Sequence, residues 1–250
     1  MLTTEQVLNF KRDGYLVLPG FATASFCDSI VELARAELSQ NIEPQEYETD
    51  THYPGAPASR SAPGGNTARR LLNAIERFPT LAEWAKNEEL CEILRKFLGD
   101  TIHLSQAHHN CVMTKQPEYS SMTGWHRDSR YWSFAKPELI SAWLALNGEF
   151  PENGGLWVLP GSHKWEMDAY QFDDKEFLRT DYAKNIDLLE RATAVTLEQG
   201  DLLLFHSNLF HAAGRNTTDE TKYSAVFTYR ADDNEPKWAT RTLSKAEIKL

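Results

Sequence analysis

Thr123-Gly124-Trp125-His126-Arg127-Asp128-Ser129, answered far along the chain by Leu209-Phe210-His211-Ala212-Ala213-Gly214, is the pair of segments from which the fold is read. Two imidazoles and one carboxylate make the ligand set of a mononuclear non-haem iron(II) site with open coordination positions. His126 and Asp128 are two residues apart, so on a β-strand both side chains share one face. The third ligand then has to come from elsewhere, and 211 − 126 = 85 residues is ample for a distant strand to return beside the first. His206, at the end of Gly200-Asp201-Leu202-Leu203-Leu204-Phe205, competes for that place. His211 is favoured over it because Ala212, Ala213 and Gly214 leave room for further ligands. The remaining histidines read as packing or hydrogen-bonding groups, with His109 on a strand that can face the interior.

Around this pair the texture is that of short strands separated by Gly, Pro and Asn turns. The strand candidates are 102–114, 122–128, 139–146, 155–159, 193–198, 201–206, 209–213 and 222–230. Short strands after a mostly helical start predict a mainly β fold, a jelly roll with helices packed outside it. The first hundred residues open with a helix capped by Thr3 and Gln6. A strand at Tyr15-Leu16-Val17-Leu18 follows, then a helix with an apolar stripe of Phe26, Ile30, Leu33, Ala34 and Leu38. Another helical region starts at Thr80, with Glu83 completing a capping box, and stops at Gly99. Residues 41 to 68 carry Pro, Gly and Ser with few large aliphatics. They read as a long loop, a candidate lid. No internal repeat or boundary divides the chain, so one domain is expected over residues 1–250, a helical part of about 1–100 on a core of about 101–232.

Composition narrows the function. The chain has 250 residues, 41% of them hydrophobic, enough for one substantial core. Its 36 acidic against 26 basic residues argue against a nucleic-acid partner. No long apolar run suits a membrane span. The first residues lack the basic-then-apolar layout of a secretory signal. Cys27, Cys91 and Cys111 are odd in number and far apart, reading as reduced thiols of a cytoplasmic protein.

The pattern resembles the phytanoyl-CoA dioxygenase family of Fe(II)/2-oxoglutarate-dependent oxygenases over roughly residues 8 to 232. The resemblance is carried by Asp13-Gly14-Tyr15-Leu16-Val17, Trp125-His126-Arg127-Asp128 and Trp143-Leu144-Ala145-Leu146. It continues in Asn153-Gly154-Gly155-Leu156-Trp157-Val158-Leu159-Pro160-Gly161-Ser162-His163-Lys164, Gly200-Asp201-Leu202-Leu203-Leu204-Phe205-His206 and His211-Ala212-Ala213-Gly214-Arg215-Asn216. It implies a double-stranded β-helix core, iron held by His126, Asp128 and His211, and 2-oxoglutarate and O₂ as cosubstrates. The family's carboxylate anchor is an arginine eleven residues past the second histidine. Here 211 + 11 = 222 is Lys222, which keeps the charge but not the bidentate fork. Arg230 and Arg215 are alternative anchors. The resemblance also places Trp143, Cys111, Met113 and Arg70 around the cosubstrate. Because Asp128 supplies a carboxylate where some related halogenases leave space for chloride, hydroxylation of a small molecule is the implied default, with desaturation or ring closure open to the same ligands. The competing class is a non-catalytic or sensor-type jelly-roll binding protein. Arg127, Arg130, Tyr131, Trp132 and Phe134 are candidates for the mouth of the site.

Overall fold

The strand pattern closes into two facing antiparallel sheets in the computed structural model, which describes residues 2–250. The N-terminal part gives helix α1 (Thr4–Asp13), strand β1 (Tyr15–Leu18), α2 (Ala24–Gln40), β2 (Gln45–Tyr47), α3 (Glu48–Thr51) and β3 (Ala68–Leu72). Helices α4 (Ala74–Arg77), α5 (Pro79–Ala85) and α6 (Glu88–Leu98) follow. The rest holds β4 (Ile102–Lys115), β5 (Thr123–His126), β6 (Leu139–Ala145), β7 (Leu156–Val158), α7 (Ala183–Leu189), β8 (Thr193–Ala194), β9 (Leu202–His206), β10 (His211–Ala213), β11 (Lys222–Ala231) and β12 (Ile248–Lys249). The larger sheet runs β1-β9-β6-β11-β4-β3-β2, with β12 also on β4, and the smaller runs β5-β10-β7-β8. From β4 onward the chain crosses repeatedly between the sheets, the winding of a double-stranded β-helix.

Period-two patterning explains why the large sheet is buried on both sides. On β11, Tyr223, Ala225, Phe227 and Tyr229 face outward, into a core shared with Ile30 and Ala34 of α2, Trp84 of α5 and Leu90 and Leu94 of α6. The alternate residues face the other sheet, where Val226 packs with Cys111, Trp143, Leu203 and Phe205. Three helices are started by a local cap. Thr3 and Gln6 form the expected reciprocal cap, Thr23 accepts from the Phe26 amide, and Asn87 accepts from the Leu90 amide.

Several expectations need correction. The region from Thr80 is two helices: the first begins at Pro79, with no capping box at Thr80 and Glu83, and Asn87 caps the second. Proline suits a first helical position because its missing N–H has no partner there to lose. Leu33 of the α2 stripe is exposed. The stretch 41–68 is not a plain loop, since β2, α3 and the start of β3 lie in it and extend the large sheet. The strand read over 122–128 stops at His126, and Asp128 opens a 3₁₀ turn that ends at Tyr131.

Phe227 is fully buried between the large sheet and Trp84, 6.2 Å from that ring. Phe227→Ala is expected to lower stability by about 3–5 kcal/mol in urea unfolding, whereas Leu33→Ala should change it by no more than about 0.5 kcal/mol.

Candidate active site

His126 and His211 are direct partners across the antiparallel β5–β10 pair, so the small sheet brings both imidazoles to one place. Each ring is oriented by its own strand. Nδ1 of His126 donates to the Gly124 carbonyl at 2.8 Å, and Nδ1 of His211 donates to the Leu209 carbonyl at 3.1 Å. That fixes the tautomer with a free Nε2. The Asp128 carboxylate comes from the following 3₁₀ turn, which is pinned by the Ser129 amide on the Ser207 carbonyl. Its Oδ1 lies 3.6 Å from Nε2 of His126 and 3.5 Å from Nε2 of His211. Strand parity thus reached the right juxtaposition through a residue that is not itself in the strand. All three side chains are buried, and their ligand atoms lie within 4.8 Å of one another.

The electrostatics suit a cation. Burial, reinforced by His126, lowers the His211 pKa to about 4, so its imidazole is neutral at physiological pH. Burial works against ionisation of Asp128, but His109, His211 and His126 outweigh it and hold the carboxyl below its usual range. Oδ2 of Asp128 is buried with no hydrogen-bond partner, an unsatisfied acceptor that a bound metal would satisfy.

His109, read from sequence as a bland histidine, sits beside this atom, its Nδ1 3.6 Å from Oδ2 and 3.1 Å from Thr228 Oγ1. A bulge puts it there. β11 pairs Phe227 with Asn110 but the next residue, Thr228, with Ser105, so Gln106–His109 bow out of β4. His108, from the same bulge, stacks on Tyr131 at 4.0 Å between ring centroids.

The triad opens onto a cavity of about 240 Å³, lined also by Arg70, Met113, Trp143, Ala212, Ala213 and Lys222. Register shows why these residues meet: Arg70 lies opposite Met113, Met113 opposite Ser224, and Lys222 opposite Lys115 across neighbouring strands. Cys111 shares this face but does not line the cavity; it is buried against Trp143 and Val226, and burial raises its thiol pKa to about 11. Arg70 is held by Glu46, with Nε 2.9 Å from Oε1. Lys222 is already paired: its Nζ is 2.9 Å from Glu149 Oε2 and 3.1 Å from Ser224 Oγ. The other Glu149 oxygen accepts from Trp143 Nε1 at 2.8 Å and Ser224 Oγ at 2.6 Å.

Other candidates fall away from the cavity. Arg230 is clamped on Glu247, and Arg215 on the carbonyls of Ser120 and Glu118. The His206 ring accepts from the Asn208 amide and packs near His163 rather than joining the triad. Of the expected mouth residues only Tyr131 lines the cavity. Arg127 reaches the carbonyls of Ser162 and Trp165, Arg130 lies over Phe177, and Trp132 and Phe134 form a separate cluster with Leu139. Lys115, Glu149, Tyr53 and Asp50 were missed. Parity from Cys111 and Met113 points to Lys115, but no sequence signal marks Glu149.

Comparison with known proteins gives the family. The family described as phytanoyl-CoA dioxygenase (PhyH) matches residues 10–224. The chain belongs to the phytanoyl-CoA dioxygenase family. Among its relatives, the ectoine dioxygenase of Sphingopyxis alaskensis is 26% identical over 93% of this chain and 77% of that protein. The human peroxisomal phytanoyl-CoA dioxygenase is 26% identical over 87% of this chain and 65% of that one. The crystal structure of EctD from S. alaskensis with 2-oxoglutarate and 5-hydroxyectoine superposes with TM-score 0.77 at 22% identity, covering 94% of this chain and 78% of that one. The epimerase SnoN in complex with Fe³⁺, alpha ketoglutarate and nogalamycin RO superposes with TM-score 0.74 at 20% identity, covering 97% and 89%. These likenesses establish the double-stranded β-helix fold, and family membership places the chain among iron- and 2-oxoglutarate-dependent dioxygenases.

The Lys222–Glu149 pair gives this phytanoyl-CoA dioxygenase relative a testable vulnerability. Glu149→Ala strands a buried ammonium and should cost about 3–5 kcal/mol in denaturant unfolding. A loss below 1 kcal/mol would mean that the pair is not dehydrated as described.

Proposed function

We propose that this chain oxygenates an aliphatic C–H bond of a small-molecule metabolite, with succinate and CO₂ released from 2-oxoglutarate. The observation that carries the reading is the convergence of His126, Asp128 and His211 on one cavity with a cationic residue, Lys222, on the same wall as Trp143. When bound, iron(II) with 2-oxoglutarate and O₂ supplies the oxidising chemistry. The protein's residues hold and shield it.

In this reading Nε2 of His126, Nε2 of His211 and the Asp128 carboxylate hold the metal. His109, held by Thr228, faces Asp128 from behind at 3.6 Å, the position of an outer group that orients a ligating carboxylate. Lys222 and Ser224 hold the far carboxylate of the cosubstrate, and Trp143 walls its carbon chain. Ala212 and Ala213 keep the volume beside His211 free. Tyr53, Tyr131 and His108 bound the remaining space and exclude water from it. A cavity of about 240 Å³ is below the usual ligand-pocket range of roughly 300–1,000 Å³. After the cosubstrate it suits a small substrate or the reactive end of a longer one, and a bulky coenzyme A moiety would remain outside. The charged groups at the cavity, Glu46, Asp50, Arg70 and Arg241, favour a polar partner.

The test is succinate formation. The chain, reconstituted with Fe(II), 2-oxoglutarate and O₂, is screened against pooled metabolites. At least one pool is expected to raise succinate release well above the rate without substrate, and Asp128→Ala should reduce it to background. Succinate no higher than in enzyme-free controls, across all pools, would count against the reading.

A further inference from the structure

The inner face of the large sheet carries two lysines at one end. Lys115 and Lys222 are register partners on β4 and β11, so their Cβ atoms lie about 5 Å apart on one face. Both are buried and both line the cavity. Their partners differ. Lys222 has Glu149, whereas the one hydrogen bond of the Lys115 ammonium among the described residues goes to the Ser121 carbonyl, at 2.7 Å. The acid that faces Lys115, Glu48, is taken up by the Ser121 hydroxyl at 2.5 Å, the Ser121 amide at 3.2 Å and Arg69 at 3.5 Å. Glu149 answers Lys222, and Glu48 and Glu46 answer Arg69, so no carboxylate oxygen is bonded to Lys115. The two ammonium groups carry six N–H donors between them, and three are used.

Room for the Lys115 stem is built in. A side chain on Gly154, whose φ is +78°, would meet Lys115 Cε at 2.8 Å and the Gly214 carbonyl at 3.0 Å. A glycine with a left-handed backbone therefore keeps the passage open along which the lysine reaches the cavity.

We propose that Lys115 and Lys222 together bind one carboxylate group, the far carboxylate of 2-oxoglutarate, with Lys115 supplying the charge that Glu149 cancels on Lys222. The inference rests on the iron and 2-oxoglutarate reading above and adds a residue to it. Two ammonium groups with three unused donors replace the single arginine fork expected at this place. The groups that face Lys115 are Arg69, Glu48 and Lys222, with Glu149 beyond Lys222. Burial draws the Lys115 pKa well below its ordinary value, and Arg69 adds to this. An arriving carboxylate favours the charged form and raises that pKa again. Between the pKa of the free state and that of the liganded state, ligand binding therefore takes up a proton, and affinity falls as pH rises across that window.

The experiment is anaerobic calorimetry on the full chain loaded with Fe(II), titrated with 2-oxoglutarate and with 2-oxopentanoate, which lacks the far carboxylate. The wild-type chain is expected to prefer 2-oxoglutarate by roughly 30-fold or more, the scale of a buried charged contact. Lys115→Met should shrink that preference to a few-fold and leave 2-oxopentanoate binding unchanged. Repeating the titration in buffers of different ionisation enthalpy should show about one proton taken up by the wild type and none by Lys115→Met. Lys115→Arg should keep the preference but take up no proton, because arginine stays charged. Near-ultraviolet circular dichroism checks that the variants fold, and if the methionine variant does not, the wild-type and arginine titrations still decide. An unchanged preference and unchanged proton uptake in the variants would overturn the two-lysine site, as would equal wild-type affinity for the two acids. Failure of the wild-type chain to bind either acid would instead overturn the iron and 2-oxoglutarate reading.

Discussion

The pairing of His126 with His211, between edge strand β5 and its neighbour β10 in the small sheet, is the constraint on which the rest of the site depends. A slip of one residue in that register would turn one imidazole to the opposite face. The register is held from both sides, since β10 also pairs with β7, placing His211 opposite Val158 as well as His126. Asp128 needs no long-range pairing of its own, because the turn after β5 delivers it next to His126. A short β5–β10 ladder and one 3₁₀ turn thus bring together three side chains from positions 126, 128 and 211.

The large sheet supplies the opposite wall, and there the problem is buried charge. The chain is acidic overall, with a formal net charge of −10, yet its cavity gathers Arg69, Arg70, Lys115 and Lys222. Three glutamates, Glu46, Glu48 and Glu149, answer them from within the fold. Buried pairs of this kind add little net stability, since desolvation offsets their attraction, but they fix where each cation points. The result is a cavity wall on which cations are gathered and oriented inside a molecule that is acidic overall.

Much of this was legible in the sequence, and the exceptions have physical causes. All eight strands read between residues 102 and 230 exist, because alternation on β11 and continuous apolar runs on β6 and β9 leave little choice. β2 and β3 were not read: they are three and five residues long, and β3 contains two buried arginines that look like surface residues until their glutamate partners are known. The bulge in β4 was equally invisible. Gln106-Ala107-His108-His109 has no glycine or proline to announce it, so His109 could not be placed beside Asp128. Lys222 followed from spacing, but Glu149, contributed by the turn after β6, could be found only in three dimensions. Period-two parity survives where strands are regular and fails where they bulge, which is why the His126, Asp128 and His211 triad was clearer than its surroundings.

The central claim is that His126, Asp128 and His211 form one iron site, and it is tested most directly by metal stoichiometry. Equilibrium dialysis against Fe(II) without oxygen should give about one ion per wild-type chain and per His206→Ala chain. His126→Ala, Asp128→Ala and His211→Ala should each retain almost none while keeping the wild-type circular dichroism. Full occupancy in His211→Ala, with loss in His206→Ala, would contradict the account.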